Sequence, residues 1–139
     1  MKFAEFFTGQ VIEAGPHRVT EEEVLGFARQ WDPQWFHTDP DAAADGLFGG
    51  LIASGWHTCA IAMRLVVQAA LDGSESLASP GIDQIRWAWP VRPGDALRLR
   101  AEVIEARRSE SKPRLGILRW RWQLFNQHEA QVLDATVTS

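Results

Sequence analysis

The stretch that decides the fold of this chain is A-S-G-W-H-T-C-A-I-A-M-R-L-V-V-Q-A-A-L, residues 53–71. It contains no proline and is long enough for about five turns of α-helix. Its apolar residues lie all the way round such a helix, and a helix of that kind is expected to be buried on every side. A membrane span is the alternative that this length allows. Polar residues interrupt the stretch and no second hydrophobic segment follows it, so we interpret it as a helix wrapped by the protein's own sheet.

The segments on either side of this helix carry the patterns of strands and of one further helix. T-E-E-E at residues 20–23 is a capping box that begins a helix, and Asp32-Pro33 ends it. A long excursion follows over residues 32–50. Strands are predicted over 10–19, 82–89, 96–106, 115–125 and 132–137, and apolar and polar residues alternate clearly over 96–106. This order predicts an α+β fold, with one antiparallel sheet curled around the central helix, and a single domain over residues 1–139.

Composition excludes several classes of protein. The net charge of −4 argues against nucleic acid as the main partner. The single cysteine, Cys59, excludes a disulfide framework, and no cluster of His, Cys and Asp has metal-binding spacing. The first ten residues lack the pattern of a signal peptide. We therefore expect a cytoplasmic protein that binds neither membrane nor metal.

The seven tryptophans are unusually many for 139 residues. Trp87 and Trp89 alternate on one predicted strand, and Trp120 and Trp122 alternate on another. Indole rings need large partners or a binding role. Because one small core needs fewer of them, the tryptophans predict an interface between subunits, which we expect to be that of a homodimer.

Asp32 and His37 are the first candidates for chemistry, since they lie five residues apart just before the central helix. A carboxylate and an imidazole held together can share acid and base work at neutral pH. By spacing alone the pair is more often an ordinary turn and a polar loop residue. Gly55 is the third candidate, because unpaired backbone N–H groups at a helix start can receive an anion or a developing oxyanion.

At these residues the sequence resembles a known family. The runs F-A-R-Q-W-D-P-Q-W-F-H-T-D-P-D-A-A (residues 27–43) and F-G-G-L-I-A-S-G-W-H-T (residues 48–58) are similar to the MaoC-like dehydratases, the (R)-specific enoyl-CoA hydratases of the hotdog fold. The family motif is D-x-N-P-x-H-x-D followed by a helix-start glycine. Asp32, His37, Asp39 and Gly55 occupy the matching positions, and the turn P-V-R-P-G-D at residues 90–95 is also typical.

The resemblance implies a fold and a reaction. The fold is the hotdog, in a homodimer or a higher homo-oligomer. By resemblance, Asp32 and His37 activate a water that adds across a trans-2-enoyl thioester, and the Gly55 N–H stabilises the thioester oxygen. No cofactor or metal is implied, and coenzyme A enters only as part of the substrate. Three positions depart from the family: Gln34 replaces an asparagine, Trp35 a proline, and Met63 a helix serine of some members.

Other residues have weaker claims. We expect a structural or interface role for His57 and solvated positions for His17 and His128. Arg86, Arg92 and Arg121 are candidates for the phosphates of coenzyme A, although arginines on a solvated sheet face are the commoner case. Trp35, Phe36 and Trp56 either narrow an acyl pocket or belong to the core.

Two other functions remain open from the sequence. Many hotdog thioesterases carry a catalytic carboxylate on the central helix, and this helix has none. A non-catalytic acyl-thioester-binding or structural subunit would explain the tryptophans without requiring Asp32 and His37.

Overall fold

The computed structural model describes residues 1–139 as five strands and four α-helices. The strands are β1 (Val11–Arg18), β2 (Gly81–Arg86), β3 (Ala96–Arg108), β4 (Gly116–Phe125) and β5 (Gln131–Thr138). The helices are α1 (Glu21–Trp31), α2 (Trp35–Thr38), α3 (Pro40–Ala44) and α4 (Gly55–Val66). A π-helical turn, Val67–Leu71, continues α4.

The strands form one antiparallel sheet in the order β1-β3-β4-β5-β2. Helix α4 lies against this sheet and contacts β1, β3, β4 and β5. The predicted α+β arrangement, with an antiparallel sheet curled around one helix, is therefore confirmed. The two edges of the sheet are β1 and β2, so each edge strand has one side without a partner in the chain.

The core lies between α4 and the inner face of the sheet. Leu97, Leu99 and Val103 of β3 are buried there, while the alternating arginines of β3 face outward, as their spacing predicts. Trp120 and Trp122 of β4 point into the same core, where their rings pack edge to face with centroids 5.5 Å apart. These two tryptophans are core residues and are not available to an interface.

Helix α4 has the expected start but differs from its prediction on one side. It begins at Gly55 because Ser54 is its N-cap, with a side chain that accepts the N–H of Trp56. One side of the helix faces away from the sheet, where Trp56 is 59% exposed, Met63 41% and Val67 37%. The expectation of burial on every side is therefore wrong for the single chain, because the sheet covers only the inner side.

Strand β2 is shorter than its prediction and ends at Arg86. Trp87 and Trp89 therefore do not alternate on a strand. They lie in the irregular segment before β3, which is tied to the start of α4 by a 2.8 Å hydrogen bond from the Ala53 N–H to the Val91 carbonyl. The indole ring of Trp87 lies against Gly55 at the helix N-terminus. None of the helices combines the length and the apolar character that a membrane span requires.

Candidate active site

Three short elements bring the candidate residues together. Asp32 is the C-cap of α1, and its N–H donates to the Ala28 carbonyl at 2.9 Å. His37 lies on the single turn α2, directly after it. Gly55 is the first residue of α4. The end of one helix, a short turn and the start of another helix therefore meet at one place.

Asp32 and His37 are in contact. The Nε2 atom of His37 lies 3.3 Å from Oδ2 of Asp32. The other ring nitrogen, Nδ1, is 2.7 Å from the carbonyl oxygen of Ile52. Because a carbonyl oxygen only accepts, Nδ1 carries a proton and donates it. This bond orients the buried imidazole so that Nε2 faces the carboxylate, and Nε2 is the atom left for proton exchange.

The Asp32 carboxylate is held by neutral donors on both oxygens. Oδ2 accepts the Ser54 hydroxyl at 2.7 Å, and Oδ1 accepts Nε2 of Gln34 at 2.8 Å. The hydrogen bond from Ser54 has the largest effect and lowers the pKa of Asp32 below its ordinary value. Burial opposes this, whereas Gln34 and the charge of His37 lower the pKa further. Asp32 is therefore ionised at neutral pH.

The backbone N–H of Gly55 is free to donate a hydrogen bond to a ligand. As the first residue of α4 it has no intrahelical partner, and no other group in the chain accepts it. The indole ring of Trp87 lies directly against its α-carbon: an added Cβ would be 2.6 Å from Cε2 of that ring. Residue 55 therefore has no room for a side chain.

A cleft of about 390 Å³ opens beside these groups. Asp32, His37 and Gly55 all contribute to its wall, and the rest of the wall is largely apolar. Its aromatic members are Phe48, Trp56, Trp87 and Trp89. Asp32 and His37 are the only titratable side chains in the lining. A second cavity of about 250 Å³, between the N-terminal residues and the loop after α4, contains neither of them.

The remaining histidines lie away from the cleft. His57 is buried, stacks on Phe27 with ring centroids 5.0 Å apart, and lies 3.9 Å from Glu23. Burial lowers the pKa of His57, which suits the expected structural role. His17 is half-buried and 3.0 Å from the same glutamate, so the expectation of a solvated position is wrong for it. His128 is exposed, as expected.

The candidate arginines are not gathered at the cleft. Arg121 holds both carboxylate oxygens of Asp134 at 2.7 and 2.8 Å on the outer face of the sheet. Arg92 donates to the carbonyl of Phe48 at the cleft wall, and Arg86 is exposed at the end of β2. Of the three, Arg92 is the one beside the candidate site.

The positions that depart from the family motif have different surroundings. Gln34 donates to Asp32, and so its amide is part of the site. Trp35 is 52% exposed and Met63 lies on the outer side of α4. Neither Trp35 nor Met63 lines the cleft, whereas Trp56 does.

Sequence reasoning missed two residues of the site, Ser54 and Trp87. A serine immediately before a helix-start glycine is an N-cap signal, and this signal was available. Nothing in the sequence pattern indicated that Trp87 packs on Gly55, because the two residues are far apart along the chain.

Comparisons with known proteins identify the family of this chain. The family model described as "MaoC like domain" matches residues 4–118. The chain is 32% identical to the uncharacterized protein YdeM of Bacillus subtilis over 138 residues, which cover 99% of this chain and 96% of that protein. It is 36% identical over 88 residues to 3-hydroxyacyl-thioester dehydratase Z of Mycobacterium tuberculosis, a match that covers 62% of this chain and 58% of that protein.

Among solved structures, the crystal structure of the MaoC-like dehydratase from Rhodospirillum rubrum superposes with a TM-score of 0.87 at 36% identity. The superposition covers 97% of this chain and 93% of that one. The hotdog fold and the family resemblance read from the sequence are both confirmed. The chain belongs to the family of MaoC-like dehydratase domains.

Proposed function

We propose that the protein is a hydratase or dehydratase that adds water to a trans-2-enoyl-CoA thioester to give an (R)-3-hydroxyacyl-CoA, or catalyses the reverse reaction. One observation carries the proposal: the Asp32–His37 contact of 3.3 Å lies in the same cleft as the unpartnered N–H of Gly55. These are the groups that conjugate addition of water requires.

Asp32 and His37 would transfer the protons of the reaction. The water oxygen forms a bond to C3 of the enoyl group while one proton of that water passes to the Asp32–His37 pair. The pair then supplies a proton to C2. The Ile52 carbonyl keeps Nε2 of His37 directed at Asp32, so the imidazole needs no reorientation between the two transfers. Positioned acid–base groups contribute about 10²–10⁴ in rate.

The start of α4 would stabilise the charge that develops between these transfers. When oxygen adds to C3, electron density moves onto the thioester oxygen, which then resembles an enolate. The Gly55 N–H lies at the positive end of the helix dipole and can donate to that oxygen. A preorganised donor of this kind contributes about 10²–10³ in rate.

The relatives support the reaction class. 3-hydroxyacyl-thioester dehydratase Z is named for the reverse reaction on the same class of thioester, although the match covers only part of each protein. No cofactor or metal enters the proposed chemistry. Coenzyme A takes part only as the carrier of the acyl group.

A homodimer and a cytoplasmic location belong to the same proposal. The outer stripe of α4 and its π-helical continuation, which we define as Trp56, Ala60, Met63 and Val67, is exposed in the single chain, and the edge strand β2 has one side without a partner. A second copy could cover both.

The single cysteine, Cys59, lacks a disulfide partner, which is compatible with a reducing compartment.

Two observations weigh against the other functions. Helix α4 carries no carboxylate, which disfavours the thioesterases that place theirs on the central helix. Asp32 and His37 both line the cleft, whereas a non-catalytic subunit would not require either side chain to do so.

The test is hydration of trans-2-enoyl-CoA thioesters of increasing chain length, followed by the loss of absorbance of the conjugated thioester. We expect turnover by the parent and severe loss in Asp32→Asn and in His37→Gln. The exposed residues Asp45 and His128 provide matched controls, since Asp45→Asn and His128→Gln make the same changes outside the cleft. If both site variants keep near-normal rates, the residue assignment is wrong. If the parent is inactive on every chain length, the non-catalytic alternative replaces the proposal.

A further inference from the structure

Ser54 joins the two halves of the candidate site through one hydroxyl group. Its Oγ atom donates to Oδ2 of Asp32 at 2.7 Å and accepts the N–H of Trp56 at 3.3 Å. The first bond reaches the acid–base carboxylate. The second caps α4, the helix whose first N–H belongs to Gly55.

The Ser54 side chain is fully buried, and its hydroxyl makes only these two hydrogen bonds. Ser54 is 0% exposed. Its carbonyl accepts both the N–H of Thr58, at 3.1 Å, and the hydroxyl of Thr58, at 3.4 Å. The backbone is therefore fixed by the first turn of the helix. A hydroxyl has one proton to donate, and because Trp56 supplies a donor, the Ser54 proton goes to Asp32.

This arrangement directs one carboxylate oxygen. The same Oδ2 atom that receives the Ser54 proton is the one 3.3 Å from Nε2 of His37. Oδ1 is held separately by Gln34. With both oxygens fixed, the carboxylate cannot rotate away from the imidazole without breaking a hydrogen bond to a charged group, which is among the stronger bonds in a protein.

We propose that Ser54 is a positioning residue, which holds the Asp32 carboxylate at a fixed place relative to His37 and to the Gly55 N–H. The proposal rests on the proposed function, in which those three groups act on one substrate. Ser54 itself touches neither the water nor the thioester. Its role is to hold the acid–base pair and the oxyanion donor in a fixed relative position. The pair can then act on the water that adds to C3 while the Gly55 N–H binds the thioester oxygen of the same substrate.

The proposal has a consequence for pH that a helix cap alone would not have. Among the side chains that contact Asp32, His37 is the titratable one, and Ser54 and Gln34 are neutral. Loss of the Ser54 hydroxyl removes the largest cause of the lowered Asp32 pKa, so this pKa rises. The ionised carboxylate is then lost at a higher pH during acidification, and the acidic limb of the kcat/KM profile moves to higher pH.

The experiment compares Ser54→Ala, Ser54→Thr and Thr20→Ala. Ser54→Ala is expected to lower kcat/KM by about tenfold at neutral pH, because a hydrogen bond to a charged group is lost, and to move the acidic limb upward. Ser54→Thr retains the hydroxyl and should restore the limb to its position in the parent. Thr20 caps α1 through the N–H of Glu23 and does not line the cleft. Thr20→Ala thus removes a comparable cap and should leave the pH profile unchanged.

A second readout separates this proposal from the proposed function. Carbon NMR of protein labelled at the aspartate carboxyl carbons follows the titration of Asp32 without any turnover, with Asp32→Asn assigning its signal. A higher Asp32 pKa in Ser54→Ala than in the parent supports the positioning role even if no enoyl thioester is hydrated, an outcome that would count against the function alone. An unchanged Asp32 titration in Ser54→Ala overturns the proposal, because Ser54 would then act only as a helix cap.

Discussion

The indole ring of Trp87 covers the α-carbon of Gly55, so the backbone that bears the candidate oxyanion donor is in direct contact with an aromatic side chain. Trp87 also packs edge to face with Trp56, at 5.5 Å between ring centroids. The Trp87 ring therefore packs against both Gly55 and Trp56, the first two residues of α4.

Gly55→Ala should destabilise the protein, because the new methyl group must displace this ring. Overpacking of this kind costs about 1–3 kcal/mol in the free energy of unfolding, which urea denaturation measures. In a Trp87→Ala background, Gly55→Ala should lower the free energy of unfolding much less, because the ring that the methyl group would displace is gone. Gly26 lies within α1 with open space around it, so Gly26→Ala should instead stabilise by about 0.5–1 kcal/mol. Equal effects at the two glycines would contradict the steric explanation.

If the proposed function holds, Trp87→Ala should also widen the range of acyl groups that the protein accepts. The ring lines the cleft beside the position where the thioester oxygen would bind. Removing it adds apolar space, and hydrophobic pockets discriminate by roughly tenfold or more per methylene group. We expect the kcat/KM ratio of a long enoyl thioester to crotonyl-CoA to rise. Trp31, 68% exposed and outside the cleft, supplies the control variant Trp31→Ala. An unchanged ratio in Trp87→Ala would remove Trp87 as a determinant of specificity.

The losses in Asp32→Asn and His37→Gln should not add. Both groups serve one water molecule in the proposed mechanism, and residues that act as a unit fail when either is missing. The double variant should therefore be only slightly slower than the worse single variant, as measured by single-turnover hydration. A double loss equal to the product of the single losses would mean that the residues act independently.

Met63→Glu should weaken the proposed homodimer, because it puts a charge on the outer stripe of α4. Stable interfaces bury about 800 Å² on each partner, and Trp56, Met63 and Val67 are the large apolar residues available on this side of the helix. Sedimentation should show dissociation at a concentration where the parent is dimeric. Gln68→Glu adds the same charge beside the stripe and should have a smaller effect. A monomeric parent at micromolar concentration would refute the dimer itself.

Asp134→Asn should lower stability at neutral pH and make no difference in acid. The hydrogen bond from Arg121 is the main cause that lowers the pKa of Asp134, with burial opposing it. A lowered folded-state pKa contributes stability above the unfolded value of about 3.9, and that contribution disappears as the pH falls through the folded value. Because Arg121 is 43% exposed, we expect a difference of roughly 0.5–1 kcal/mol at most.

Urea denaturation at several pH values measures this difference. Asp83→Asn breaks the more exposed pair with Arg119 and should change stability less. A stability difference for Asp134→Asn that stays constant down to strong acid would exclude an ionic origin.

The sequence predicted the fold because its dominant signals are local. The apolar stretch at residues 53–71 and the alternation along β3 follow from helical and strand periodicity. Periodicity does not state which molecule covers an apolar side, and for this reason the burial of Trp56, Met63 and Val67 within the single chain was wrongly expected. It also does not fix where a strand leaves its sheet, and thus β2 was predicted too long.

Of the residues in the candidate site, only those of the family motif were predicted from the sequence. Asp32, His37 and Gly55 were found through their spacing and the family resemblance, and their catalytic roles stay predictions. Ser54 and Trp87 act through contacts between distant parts of the chain. A hydroxyl reaching back to Asp32 and an indole packed on Gly55 depend on how three segments meet in space, which no pattern along the chain specifies.

The three proposed catalytic groups, Asp32, His37 and Gly55, all come from residues 32–55 of one chain. Every copy of the chain therefore carries all three groups. Co-expressed Asp32→Asn and His37→Gln chains should fail to complement each other, since reassortment of subunits cannot rebuild an intact pair. In a duplicated gene, one half is free to lose its chemistry and diverge while the other half keeps a working site.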